Sequence, residues 1–207
     1  MMLPSLPSRL AAAAVLAVLA IGGAGCSKDG DHASSPSRKS GSTTTAAAGA
    51  VPTLHFTVTE TNDNGTKAPD EATVAAVRKT LDGWLASAVV APLHSGGPAP
   101  DLTALFTPPA LERMSDPATR ATLVDEGMPA ASKAITADVA QVLLSSVAGP
   151  DEVIALIGAR IEVKVRAVGP TLDADVVHQG ELVLVPEADG TWKIDSFAIH
   201  TARDSRP

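Results

Sequence analysis

One strictly alternating stretch constrains the fold of this chain more than any other feature. In "ARIEVKVRAV", Ile161, Val163 and Val165 are separated by the charged residues Arg160, Glu162, Lys164 and Arg166. Successive side chains of a β-strand point to opposite faces, so this pattern predicts a strand with one apolar face and one solvated face. The second half of the chain is therefore expected to contain a sheet with one solvent-exposed face.

Further strands are predicted on both sides of this one. The stretch "GELVLVPEADGTWKIDSFAI" predicts two strands around a short turn at residues 187–190. Upstream, residues 132–158 fit either a helix or a hairpin, and we favour a hairpin turning at residues 149–151 because Gly-Pro-Asp separates two β-branched runs. The expected sheet has about four consecutive antiparallel strands.

The first half of the domain has helical periodicity. A long helix is predicted from about Asp70 to Val90, with proline and acids at its start. Its apolar stripe comprises Val74, Val77, Leu81, Trp84, Leu85 and Ala88. Trp84 is interpreted as a packed core residue, with pocket lining as the alternative. Short helical pieces are predicted in "DLTALF", "PPALERM" and "DPATRATLVDEG", the last stopping at Gly127, and "LHFTVTE" (54–60) predicts a short strand or an ordered arm.

Helices followed by a run of strands indicate the α+β class, with the long helix and the short helices packed on a curved antiparallel sheet of about four strands. In element order, and in the closing strand "GTWKIDSFAIH", residues 69–202 resemble the nuclear transport factor 2-like superfamily. The resemblance implies a cone-like domain. That superfamily includes isomerases, dehydratases, cyclases and non-catalytic accessory domains, so it does not by itself select a function.

The N-terminal segment has the layout of a secretory signal. Arg9 precedes sixteen uncharged residues, "LAAAAVLAVLAIGGAG", which is short for a spanning helix, since such helices need about 20 apolar residues. Residues 1–25 are therefore predicted to be a signal peptide. The following Gly23-Ala24-Gly25-Cys26 resembles the lipobox of bacterial lipoproteins, although Gly23 replaces the usual aliphatic residue. The resemblance implies that Cys26, the only cysteine, is lipidated; ordinary cleavage leaving a free thiol is the alternative.

The chain behind Cys26 divides into a linker and one domain. Residues 26–50 are rich in Ser, Thr, Gly and Ala, which predicts a disordered tether with a root-mean-square span of roughly 25–30 Å. Residues 51–207 are predicted to form a single domain. This domain carries 12 Lys and Arg against 21 Asp and Glu, which argues against nucleic acid as a partner. Its five aromatic residues and lack of tyrosine argue against sugar-stacking platforms.

Candidate catalytic residues come from the superfamily resemblance, which implies Asp and His projecting into the cone. The candidates are Asp175, His178, Asp195 and His200, with Asp173 nearby in the sequence. A buried, low-dielectric site could bring their pKa values towards neutrality for proton transfer. Against this, "TLDADVVHQGE" also fits a solvated strand edge, and no tyrosine is present to form a phenolic oxyanion hole.

Other site chemistry has little support in the sequence. The histidines are scattered without the helical spacing of a metal site, so no metal and no cofactor is predicted. In "LVDEGMP", Asp125 and Glu126 are interpreted as the end of a helix before Gly127; the alternative is a rim that contacts a cationic partner.

We therefore expect a secreted, lipid-anchored, non-catalytic binding or accessory domain at the outer face of a bacterial membrane. Its ligand would be a small apolar molecule inside the cone, or its partner a protein on the exposed sheet, including a second copy in a homodimer. The alternative is an extracytoplasmic lyase or isomerase that uses Asp and His in the cone, and a purely structural envelope protein is a third reading.

Overall fold

The computed structural model describes residues 51–60 and 68–206 of the chain. The predicted signal peptide, Cys26 and the tether lie outside the described residues. The described part is α+β, as the sequence predicts. Its elements are β1 (Thr57–Glu60), α1 (Glu71–Trp84), a π-helical segment (Leu85–Val90), α2 (Ala91–Ser95), α3 (Pro108–Arg113), α4 (Pro117–Arg120), β2 (Ala134–Ala148), β3 (Ile154–Val168), β4 (Asp173–Pro186) and β5 (Trp192–Ser205).

The sheet has five strands in the order β1-β2-β3-β4-β5. Strands β2 to β5 are consecutive and antiparallel, which confirms the four predicted strands, and the short β1 pairs parallel with β2 at the edge. The hairpin interpretation of residues 132–158 is correct, because β2 ends at Ala148 and β3 begins at Ile154. In β3, Ile161, Val163 and Val165 are all buried, as their alternation predicts.

The helix predicted at residues 70–90 is present, but the expectation of one long regular helix is wrong. Asp70 caps α1 by accepting a hydrogen bond from the Thr73 backbone N–H at 2.8 Å. After Trp84 the chain continues through six π-helical residues and then through α2, which ends at Ser95. These three segments, residues 71–95, are together called the long helix below. The sequence pattern does not reveal this interruption, since apolar residues such as Leu85, Ala88 and Leu93 stay buried throughout it.

Pro92 explains the π-helical segment. In a regular helix the carbonyl of Ala88 would accept from the N–H of residue 92, but proline has no N–H and its ring would clash with that carbonyl. The wider turn removes the clash, and the Ala91 N–H bonds to Ala86 O, five residues back. The released Ala88 carbonyl accepts instead from the Asp125 backbone N–H at 2.9 Å.

Two of the predicted short helices differ from the structure. Residues 101–106 form a turn, because the Asp101 carboxylate accepts from both the N–H and the hydroxyl of Thr103 at 2.9 Å. Helix α4 ends at Arg120 and does not reach Gly127. Beyond it the N–H groups of Thr122 and Leu123 bond three residues back, to Thr119 O and Arg120 O, and the Asp125 N–H bonds to Ala88 O.

The core lies between the long helix and one face of the sheet, here called the inner face. Trp84 is completely buried and stacks on Phe56 with ring centroids 6.3 Å apart. The Thr80 hydroxyl donates to Trp192 O at 2.6 Å and ties α1 to the start of β5. No helix among residues 51–60 and 68–206 is both long and apolar enough to cross a membrane.

Candidate functional site

The two faces of the sheet present different chemistry. The opposite face, here called the outer face, carries polar side chains aligned in rows across the strands. Strand register places Gln141 opposite Glu162, Glu162 opposite Gln179, and Gln179 opposite His200. The next row contains Leu143, Arg160, Glu181 and Ala198. These two rows bring donors, acceptors and charges from four strands into one area.

A groove of about 580 Å³ follows these rows, and we call it the outer groove. Leu143 and Ala198 contribute apolar surface to its lining. Gln141 Nε2 donates to Glu162 Oε2 at 2.6 Å, which fixes one wall. Gly180 also lines the groove and has φ +150°, where a side chain would collide with the Ala198 carbonyl oxygen. A glycine is therefore required for β4 and β5 to approach here.

Two charged side chains in the outer groove have no ionic partner among the residues that the structure describes. Arg160 and Glu181 occupy facing positions on β3 and β4, yet neither forms an ion pair within 4.0 Å with any side chain that the structure describes. A guanidinium group offers a fork of five N–H donors, and a carboxylate offers acceptors only. The groove therefore presents both a free cation and a free anion to a ligand.

The charged side chains of the outer face outside the groove differ from Arg160 and Glu181, because they form ion pairs with one another. Asp175 Oδ2 accepts from Arg206 at 2.6 Å and lies 3.6 Å from Lys164 Nζ. The hydrogen bond from Arg206 holds the pKa of Asp175 below its usual range, and the charge of Lys164 acts in the same direction. Arg166 pairs with Asp173 at 2.9 Å. A carboxylate held ionised in this way is unsuited to act as a general acid near neutral pH.

The inner face contains a buried ionic cluster of three side chains from three segments. His178 Nε2 lies 2.7 Å from Asp125 Oδ2, and Arg203 Nε donates to Asp125 Oδ1 at 2.9 Å. The side chains of His178 and Asp125 have no exposed surface, whereas Arg203 is 29 % exposed. Buried charges need partners of this kind, because removal from water is costly.

The same cluster attaches residues 121–125, here called the strap, to the sheet. Arg203 donates to the carbonyls of Ala121 and Val124 at 2.8 and 3.2 Å. The Thr201 hydroxyl lies 2.6 Å from Thr122 O and 3.0 Å from His178 Nδ1. From the helix side, the indole of Trp84 meets the His178 ring edge-on, with centroids 5.7 Å apart. Trp84 Nε1 is buried without a hydrogen-bond partner among the described residues.

The predicted site residues do not come together. Asp175 and His178 are three positions apart on one strand, an odd number, so they lie on opposite faces. His200 is exposed on the outer face. Asp195 lies at an irregularity of β5, where its carboxylate accepts from the Thr107 hydroxyl at 2.9 Å. Of the four predicted catalytic candidates, His178 alone is fully buried in the interior of the fold.

Asp125 is the partner that the sequence interpretation missed. The sequence predicts a helix end here, beside Glu126, but Asp125 is buried against His178 and Arg203. Its position directly after the apolar pair Leu123 and Val124 is the one signal of burial in the sequence. Glu126 instead accepts two hydrogen bonds from Arg120, at 2.6 and 2.9 Å, and this lowers the pKa of Glu126.

Within residues 51–60 and 68–206, no group of three or more His, Cys, Asp or Glu side chains has the geometry to hold a metal ion. Compared with known proteins, the chain matches no family, no curated protein and no solved structure.

Proposed function

We propose that this protein is an extracytoplasmic binding module, anchored to the membrane by lipidated Cys26, and that the outer groove is its ligand site. The observation that carries the proposal is the pair of unpartnered charges, Arg160 and Glu181, in a groove of about 580 Å³. The signal-like N-terminus, the lipobox resemblance and the linker at residues 26–50 support the location. A cone-like domain of the nuclear transport factor 2-like type is part of the same proposal, supported by the antiparallel sheet behind the helix at residues 71–95.

The outer groove is a better candidate than the inner face for binding a ligand. The inner face is occupied by large side chains without exposed surface, among them Trp84, Phe56 and Leu182. An apolar ligand there would have to displace tightly packed core residues, and interiors packed at this density resist added volume. The outer groove needs no such rearrangement.

The chemistry of the groove favours a zwitterionic, peptide-like ligand. Arg160 would receive a carboxylate in a bidentate contact, and Glu181 would accept from an ammonium group. Gln179 supplies a neutral amide for backbone groups of a peptide. The apolar surface of Leu143 and Ala198 would cover a short aliphatic part of the ligand.

Titration of the isotope-labelled protein with zwitterionic dipeptides, followed by NMR chemical shifts, tests this proposal. Shifts confined to residues around Arg160 and Gln179 support the outer groove. Arg160→Gln and Glu181→Gln would each weaken binding about ten- to a hundredfold, since charge-assisted hydrogen bonds contribute about 1.5–3 kcal/mol. Lys79→Gln, on the exposed side of α1, is the matched charge-removing control.

An apolar fluorescent probe such as anilinonaphthalene sulfonate distinguishes the two faces. If the probe binds with micromolar affinity, quenches Trp84 emission and leaves the groove resonances unchanged, the ligand site is on the inner face and the proposal is wrong. Absence of any dipeptide-induced shift at Arg160 and Glu181 at millimolar concentration would equally remove the outer groove as a zwitterion site.

The second candidate function is a lyase or isomerase, and it is favoured by the Asp125–His178 contact of 2.7 Å. A histidine oriented by a carboxylate is the arrangement of a general base. Because neither side chain has exposed surface, a substrate would reach them only if the strap moved away from the sheet. Turnover that disappears in His178→Gln, in a protein that retains its fold and its dipeptide binding, would establish this function.

A further inference from the structure

The partners of His178 determine how many protons its ring carries. A carbonyl oxygen can only accept, so the Thr201 hydroxyl uses its single proton on Thr122 O, 2.6 Å away. The Thr201 oxygen is then an acceptor for His178 Nδ1 at 3.0 Å, and that nitrogen must carry a proton. The Nδ1 side of the ring is therefore a donor.

The other ring nitrogen is also a donor. Nε2 faces the Asp125 carboxylate at 2.7 Å, and the second oxygen of that carboxylate accepts from Arg203. An ionised carboxylate accepts only, so Nε2 carries a proton as well. The full set of hydrogen bonds is satisfied only when His178 is an imidazolium ion.

Few charged groups face this ring. The strap contributes Asp125 and β5 contributes Arg203, so one negative and one positive charge act on His178. Helix α1 contributes the neutral indole of Trp84, and the facing position of β3 is the apolar Val163. Among the described residues, Asp125 is thus the only anion in contact with the ring.

We propose that His178 is a proton-operated latch that holds the strap on the sheet. In the protonated state two hydrogen bonds form in series: His178 Nδ1–H donates to the Thr201 oxygen, and the Thr201 hydroxyl donates to Thr122 O. When the ring is neutral with its proton on Nε2, Nδ1 becomes an acceptor, and the Thr201 hydroxyl must choose between Nδ1 and Thr122 O. After deprotonation the bond from Thr201 to Thr122 O competes with one to Nδ1, so the attachment of the strap to β5 is made only part of the time. This inference does not depend on ligand binding in the outer groove.

The sign of the pH effect follows from the proton count. The latched state holds the additional proton, so its attachment is complete at acidic pH and weakens as the proton is lost at higher pH. Histidine is the side chain whose charge changes between about pH 5 and pH 8. An extracytoplasmic protein meets this range in its surroundings, and the strap would be more firmly closed in acid.

Amide hydrogen exchange of the full-length protein tests the latch. The reporter is the Asp125 N–H, which is bonded to Ala88 O and exchanges when the strap opens. After correction for intrinsic exchange rates, its protection should be about three- to tenfold higher at about pH 5.5 than at about pH 8, the range set by one net hydrogen bond. Ring ¹⁵N shifts of His178 should report both nitrogens protonated at the lower pH.

Two variants test whether the pH dependence of Asp125 protection comes from the hydrogen bonds of Thr201. Thr201→Val keeps the shape and all charges but removes the hydroxyl, and it should reduce the pH dependence of Asp125 protection to the part that comes from the charge of His178 beside Asp125. Thr80→Val removes a comparable side-chain bond, to Trp192 O at 2.6 Å, without contacting a histidine, and it should leave that dependence intact. Equal protection at both pH values in the unmodified protein, or a His178 ring that is neutral at about pH 5.5, would overturn the proposal.

Discussion

Asp125 connects three parts of the fold, namely β4, β5 and the long helix. It contacts His178 and Arg203 through its carboxylate and the long helix through its N–H. The sequence pattern places it at a helix end, because Glu126-Gly127 follows it and a glycine commonly ends a helix. Its true role depends on residues 53 and 78 positions away, which no local pattern can indicate.

Asp125→Asn should lower the free energy of unfolding by about 3 kcal/mol, because it leaves buried His178 and partly buried Arg203 without a counter-charge. Urea denaturation at neutral pH measures this loss. Asp101→Asn, which changes an exposed turn, is the control and should cost less than about 0.5 kcal/mol. A loss below about 1 kcal/mol for the Asp125 variant would mean that the cluster is not a stabilising ion group.

Glu126→Gln should make the protein less sensitive to acid. The hydrogen bonds from Arg120 lower the pKa of Glu126 from its ordinary 4.5. A carboxyl with a depressed pKa contributes stability that is complete above its unfolded value and disappears as pH falls through its folded value. Thermal melts should therefore show the variant less stable than the parent at neutral pH, and the difference should shrink below pH 4.5. A constant difference across that range would contradict this account.

At the scale of elements, the strands and the short helix α3 were predictable, whereas the end of α4 and the turn at residues 101–106 were not. The alternation of Ile161, Val163 and Val165 records the two faces of β3 directly in the sequence. By contrast, α4 ends at Arg120 and not at the Gly127 that the sequence indicates, and the Asp125 N–H bonds to Ala88 O in a distant part of the chain. The residues of the outer groove were individually visible, but only strand register places Arg160 opposite Glu181.

Pro92→Ala should separate the long helix from the strap. Alanine restores an N–H that can bond to Ala88 O within the helix, so the Asp125 N–H loses its acceptor. We expect Asp125 amide protection to fall more than tenfold, which corresponds to about 1.4 kcal/mol, while the melting temperature changes little. Pro108→Ala, at the first turn of α3, is the matched control and should leave Asp125 protection unchanged. Unchanged protection in Pro92→Ala would mean that proline does not cause the helix to widen.

At the scale of the whole molecule, we propose that lipidated Cys26 attaches the binding domain to a membrane. The mature protein from its native host should have an intact mass that includes acyl groups on an N-terminal Cys26, and Cys26→Ser should lack them. A mature N-terminus elsewhere, or an unmodified cysteine, would make the domain a freely secreted one. The outer groove would then be expected to meet soluble ligands.

The order of strands in the sheet has a consequence for the rate at which the domain folds. Strands β2 to β5 each pair with their neighbour in the chain, so three hairpins can form in succession with short loops to close. The parallel pairing of Thr57 with Gln141 and the contact of Asp125 with His178 join distant parts of the chain. We expect these two to form last, so that a newly made chain passes through a state with a complete meander and an unattached strap. In that interval the part of the inner face that contacts the strap is uncovered, and chaperones would find a binding surface there.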